Sequence, residues 1–186
     1  MKAAVQAFKK ELVLQKVNDL LETEGFMNLT MQRIAQHCGI SVGALYKLFA
    51  SKEELFYAYV HYQIDLFLQK IEDAFAATED PQERIKRFIE LKFELFKAKK
   101  RILLDTIAGD PLFFAKLNAN KENPAKKLYE RVAKELEHMG IEEPLKISYL
   151  LNGLTLGYLE FWLAGAGELD AEDAYKKVLH IIKDRS

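Results

Sequence analysis

The sequence predicts an all-α protein: a head of three short helices, a long fourth helix, and a C-terminal helical bundle, about nine helices in all. Two observations predict it. No run of alternating β-branched residues occurs along the 186 residues, so nothing reads as a strand. Three of the four prolines, Pro81, Pro124 and Pro144, stand where a helix would begin, a position at which the missing N–H costs nothing. The fourth, Pro111 in Gly-Asp-Pro, fits a turn.

The elements follow in order. Helix one covers about residues 7–24, with Val13, Val17, Leu20 and Leu21 on one face and Gly25 as its stop. Helix two runs from about Met31 to His37. Thr30 is placed to cap it, and Leu29 and Ile34 have the spacing of a hydrophobic staple. Helix three runs from about Val42 to Phe49, capped by Ser41, with Ile40 and Leu45 at the same staple spacing. Ser51 and Glu54 form a capping box that opens helix four, which continues from Lys52 to about Phe75. Further helices are expected at about 81–98, 101–108, 111–119, 124–139, 144–164 and 171–184.

Charge and composition narrow the function classes. Hydrophobic residues make up 49% and charged residues 30% of the chain, as in an ordinary soluble domain. The net charge of −1 argues against a protein that coats nucleic acid, but a small basic surface remains compatible with it. Residues 1–50 hold six Lys/Arg against four Asp/Glu, which is +2. The remaining 21 against 24 give −3 for residues 51–186. The basic part is therefore the part with the three short helices. The lone cysteine, Cys38, excludes an internal disulfide. With no apolar segment near the N-terminus, it fits a cytoplasmic protein. Cys38 stands in an apolar slot and reads as a packed thiol rather than a redox sensor. The four histidines, His37, His61, His138 and His180, lack ligand spacing, so no metal is expected. No phosphate loop, nucleophile elbow or paired catalytic carboxylates stand out, so neither an enzyme nor a cofactor is expected. The apolar stretch 147–166 contains Asn152 and Glu160 and reads as a buried helix rather than a membrane span.

The window from Met31 to Ala50, MQRIAQHCGISVGALYKLFA, has the chemistry of a helix-turn-helix. A small residue, Ala35, stands where the first helix faces the second. Gly39 stands in the turn, where positive φ is required. Ile34, Cys38, Ile40, Leu45 and Leu48 are placed to hold the crossing. A plain three-helix packing unit would need no more than this. The exposed chemistry of helix three goes further: Ser41, Val42, Gly43, Ala44, Tyr46 and Lys47 include no acidic residue. Small residues at its N-terminal end would let backbone N–H groups meet phosphate and let the helix enter a major groove, where Val42 or Ala44 could touch a thymine methyl.

The segment from Val13 to Leu55 resembles the N-terminal domain of the TetR/AcrR family of bacterial transcriptional regulators. The resemblance rests on Val13, Val17, Leu20, Leu21, Gly25-Phe26, Thr30, Ile34-Ala35, Gly39-Ile40-Ser41, Gly43, Leu45-Tyr46, Phe49 and Ser51-Lys52-Glu53-Glu54-Leu55. It implies a phosphate contact from the Tyr46 hydroxyl, another from Lys52, and a hydroxyl from Thr30 near the DNA backbone. It also places Ser41, Val42, Gly43, Ala44 and Lys47 toward the groove. One departure is Ala44, near which the family often carries a Thr, so one hydroxyl contact is missing. Gln32 and Arg33 read equally well as phosphate contacts and as a solvated helix face.

The resemblance further implies two domains, residues 1–52 for DNA binding and 53–186 for ligand binding and dimerisation. The partners implied are an operator duplex, a second copy of the chain and a small-molecule effector. The function implied is repression relieved by an apolar or amphipathic ligand. The aromatic residues beyond position 55 read as core, or as the lining of a pocket, to which Phe93, Phe96, Tyr158 and Trp162 are assigned. Phe67, Phe88, Phe113, Phe114, Tyr149 and Phe161 belong to the same aromatic population. The helix at 144–164 is apolar almost all round and must be covered on several sides. Its Leu150, Gly153, Leu154, Gly157 and Phe161, with Ala174, Val178, Ile181 and Ile182 of the last helix, are expected at a two-fold interface. Two recognition helices would then read a pseudo-palindrome with major grooves about 34–36 Å apart. The alternative is a helical module whose head binds a protein rather than DNA.

Overall fold

The computed structural model describes residues 2–109 and 125–183. Among the described residues there are nine α-helices and no strand. They are α1 (Lys2–Glu24), α2 (Met31–Cys38), α3 (Val42–Leu48), α4 (Lys52–Ala76), α5 (Pro81–Ala98), α6 (Lys100–Gly109), α7 (Ala125–His138), α8 (Pro144–Leu163) and α9 (Ala171–Lys183). Helix α1 begins five residues before the expected start, because a run such as KAAVQAFKKEL carries good helix formers even where it lacks an apolar stripe. The helix expected at 111–119, with Pro111, Phe113 and Phe114, lies outside the described residues, as does Pro124.

Two compact units divide the chain. Among the described residues the first holds 2–65 and 101–109, the second 66–100 and 125–183. The division falls inside α4 rather than at its start, and α6 groups with the head.

The core of the first unit is the apolar face of α1 (Val13, Val17, Leu20, Leu21) closed by Ile34 and Ala35 of α2, Leu45 of α3, Phe49, and Leu55, Phe56 and Tyr59 of α4. Val17, Ala35, Leu45 and Phe49 are wholly buried. Phe26 stacks on Phe56 with ring centroids 4.2 Å apart, and the Tyr59 hydroxyl donates to Asn18 Oδ1 at 2.9 Å. Burial pushes that phenol well above its ordinary range. Gly25 ends α1 at φ +75°, and a Cβ there would lie 1.9 Å from Asp105 Oδ2 of α6. The left-handed backbone therefore favours glycine, and any Cβ there would also displace the Asp105 side chain.

The second unit packs α5, α7, α8 and α9 with the C-terminal half of α4. The α7–α8 pair packs most extensively. Its interior is Phe67, Ile71, Phe75, Ile85, Phe88, Ile89, Phe93, Val132, Leu136, Ile147, Leu151, Leu159, Ala174 and Val178. One carboxylate, Glu135, is 1% exposed among them. Burial alone would raise it, but Arg131 and Arg84 (N···O 3.1 Å) surround it and hold it below the usual carboxylate range. Arg131 also reaches Glu72 at 2.9 Å. Helix α8 buries Ile147, Ser148, Leu151, Thr155 and Leu159 on one side, and leaves Leu145, Tyr149, Leu150 and Phe161 exposed on another. Among the described residues no helix is long and apolar enough to cross a membrane.

Candidate nucleic-acid interface

Local chemistry fixes the head. The Thr30 hydroxyl accepts from Arg33 N at 3.1 Å and opens α2. The far end of α2 closes on Gly39 at φ +72°, with Gly39 N–H on Gln36 O (3.1 Å) and Ile40 N–H on Ala35 O (3.0 Å). That pair of bonds satisfies two carbonyls the helix would otherwise leave open. Two residues later the Ser41 hydroxyl accepts from Ala44 N at 3.1 Å and opens α3. Ser51 accepts from Glu54 N at 3.0 Å, and Glu54 reaches back to Ala50 N at 2.7 Å. The return arm of the expected box thus lands one residue earlier, on Ala50.

Between these caps α3 buries Leu45 completely and turns its other side outward. Ser41, Gly43, Tyr46 and Lys47 are exposed, while Val42 and Ala44 are half-buried. Tyr46 is 51% exposed, and among the described residues neither its hydroxyl nor the Lys47 ammonium is engaged in a hydrogen bond or ion pair. A large amphipathic side chain and a free cation on one open helix face can meet a phosphate without first breaking a contact.

The other sequence-predicted residues are disposed differently. Thr30 and Gln32 are exposed beside α3's partner helix. Arg33 is directed back to Glu24 at the end of α1, with N···O distances of 2.6 and 3.0 Å. The hydrogen bond holds Glu24 low and Arg33 high. Lys52 places its Nζ 3.3 Å from the Phe26 carbonyl and 4.5 Å above the Phe26 ring. Sequence reasoning missed Glu24, and it missed Lys16, whose Nζ donates to Cys38 O at 3.2 Å and ties α1 to the end of α2. The Cys38 thiol is buried, and burial raises it although Lys16 pulls the other way. A groove of about 590 Å³ runs beside α3, walled by Val5, Leu12, Val13, Ile40 and Leu48 and edged by Lys9, Lys16 and Lys47.

In the second unit, Phe93, Phe96 and Tyr158 come together, with ring centroids 6.1 and 5.6 Å from Phe93. Phe93 and Phe96 are buried and Tyr158 is half-buried. The Tyr158 hydroxyl meets Asp173 and accepts from Lys177 at 2.9 Å. Trp162 is half-buried with Lys100 Nζ 4.6 Å above its ring. Of the residues expected at a two-fold interface, Leu150, Gly153, Gly157 and Phe161 lie exposed on α8 and Leu154 is half-buried. Ala174 and Val178 instead face inward and are 0% and 3% exposed, because α9 packs against α5 within its own unit. The side chains of Ile181 and Ile182 lie outside the described residues. Sequence reasoning also missed Lys92. The 88–92–96 spacing sets it between two phenylalanines on the buried stripe of α5, which was the available signal.

Residues 16–59 match the family described as bacterial regulatory proteins, tetR family. The chain is 27% identical over 188 residues to the HTH-type transcriptional regulator YerO of Bacillus subtilis, a match covering 95% of this chain and 64% of that protein's length. A TetR transcription regulator of Haloarcula marismortui superposes with a TM-score of 0.71 at 19% identity, covering 96% of this chain and 98% of its own. The TetR-family repressor FadR of Thermus thermophilus, solved with lauroyl-CoA, gives 0.66 at 19% identity, covering 93% and 92%. The capped helix-turn-helix, the outward face of α3 and the all-helical architecture agree with those matches: residues 16–59 form a head like that of the tetR-family regulators, and the chain as a whole is similar to transcriptional regulators of that fold.

Proposed function

We propose that this regulator is a homodimeric repressor that leaves a pseudo-palindromic operator when a small apolar or amphipathic molecule occupies its C-terminal domain. The observation that carries the reading is the face of α3, which offers Tyr46 and Lys47 without a competing partner and without an acidic neighbour on the helix. Ser41, Val42, Gly43 and Ala44 meet base edges and phosphate from the open end of α3. Tyr46, Lys47, Thr30 and Gln32 meet the DNA backbone. Lys52 joins them after exchanging the Phe26 carbonyl for a phosphate oxygen. Arg33 stays on Glu24 and adds little.

Residues 1–52 do the reading, and residues 53–186 do the pairing and sensing. The stripe of exposed Leu150, Gly153, Gly157 and Phe161 with half-buried Leu154 supports a two-fold seam, since its two glycines have open space beside them and allow close helix approach. The cluster of Phe93, Phe96 and Tyr158 supports an aromatic wall for the ligand, with Trp162 further along α8. The ligand acts through α4, which carries residues of both units, and it must prefer one spacing of the two heads to change affinity at all.

Selection of bound sequences from a random duplex pool tests the reading. A two-fold symmetric consensus is the expected result, and an asymmetric or absent consensus overturns it. The rival reading, a head that binds a protein, predicts no such enrichment.

A further inference from the structure

Lys92 lies at the centre of the buried face of α5, one turn from Phe88 and one turn from Phe96, and is 5% exposed. Its ammonium donates to Asn152 Oδ1 at 2.5 Å and to Thr155 Oγ1 at 2.6 Å, both on α8. Both acceptors are neutral. No carboxylate among the described residues pairs with it, and burial pulls it toward the neutral amine. The rings of Phe88 and Phe96, 5.7 and 5.6 Å away, give it only their π-faces.

This is unlike the other buried charge of the same unit. Glu135 is matched by two arginines, whereas no anion among the described residues faces Lys92. A buried lysine without a counter-charge is costly and uncommon. An ammonium has three donors, and the described residues take up two. Asn152 is half-buried, and its amide nitrogen donates to nothing among the described residues. A cation and an amide N–H₂ therefore stand together beside the aromatic pair Phe93 and Phe96.

We propose that Lys92 is the anchor of the effector site, and that the effector is an organic acid with one carboxylate on an apolar body. The carboxylate takes the Lys92 ammonium and the Asn152 amide, and the apolar body parts the Phe93–Phe96 wall. The inference rests on the ligand-responsive reading above and names its ligand class. A phosphate dianion would bring two charges to one cation, and an amine would set like charges together. A neutral alcohol would leave the ammonium without its counter-charge.

The test uses the full chain and three probes of matched length: octanoate, 1-octanol and octylamine. Binding is followed by calorimetry and by the fluorescence of Trp162, the chain's single tryptophan, which lies on α8 with Asn152 and Thr155. Octanoate is expected to bind at least about ten-fold more tightly than 1-octanol, as a hydrogen-bonded charge pair would require, with octylamine weakest. In Lys92→Met the acid should bind no more tightly than the alcohol. Where that variant fails to fold, Asn152→Leu should narrow the same preference. An acid that binds no better than the alcohol, a preference that survives Lys92→Met, or no binding of any probe would each overturn the proposal. Release of a selected duplex, measured in parallel, separates the two layers. Release by 1-octanol or octylamine but not octanoate upholds ligand control and overturns the Lys92 anchor. Lys92-dependent octanoate binding that leaves duplex affinity unchanged upholds the anchor and overturns ligand control.

Discussion

Glu24, the last residue of α1, holds Arg33 of α2 in an ion pair with the guanidinium 2.6 Å from its carboxylate. The pair withholds from the proposed DNA face a cation that the sequence alone offers to it. Duplex affinity should therefore change little in Arg33→Ala. In Glu24→Ala the freed guanidinium should strengthen binding and steepen the log–log salt slope by up to about 0.9 for each added phosphate contact. Anisotropy titrations of both variants across a salt series measure this.

Gly25 and Gly39 share a left-handed backbone but differ in their surroundings. A Cβ at Gly39 meets nothing within 4 Å, whereas one at Gly25 would strike Asp105. Gly39→Ala should cost about 1–2 kcal/mol, the strain of a left-handed L-residue. Gly25→Ala should cost more, and adding Asp105→Ala should recover the excess but not the backbone part. Urea unfolding of the three variants reads the difference.

The buried Lys92 makes stability depend on pH. Its folded value is depressed to about 7 from the ordinary 10.5, so between those values the unfolded chain binds more protons than the folded one. Stability should rise as pH rises from about 7 to 10.5, and should lack this contribution at pH 6, where the charge is buried intact. Lys92→Met should flatten the rise and stabilise the protein at pH 6 by on the order of a few kcal/mol. Melts at several pH values show whether the slope disappears with the amine.

The exposed stripe of α8 should be the seam of the dimer. Leu150→Glu with Phe161→Glu should give a folded monomer by sedimentation, with operator affinity reduced at least about a hundred-fold for loss of the second half-site. A variant that remains dimeric places the seam elsewhere.

Much of the head was legible because its signals are local. Thr30, Ser41 and Ser51 each cap the helix that follows them, and Gly39 adopts the positive φ its place in the turn requires. What stayed hidden depends on tertiary geometry. The spacing of Arg33 on α2 carries no trace of Glu24 nine residues earlier. The apolar pattern of α9 identifies a buried stripe but not whose surface buries it, so Ala174 and Val178 read as an interface although they pack inside their own unit. Lys92 is hidden in the sequence because a lysine inside an apolar pattern reads as solvated, and only its acceptors on α8 distinguish it.

The central claim is that the outward face of α3 engages a duplex. The most direct measurement is the salt dependence of binding to a selected duplex for the parent chain, Tyr46→Phe and Lys47→Ala. The account predicts a steep negative slope for the parent and weaker binding for both variants. It also predicts a slope shallower by about 0.9 for each phosphate that Lys47 neutralises. Binding that persists unchanged in both variants, or a parent chain that binds no duplex at low ionic strength, would contradict it.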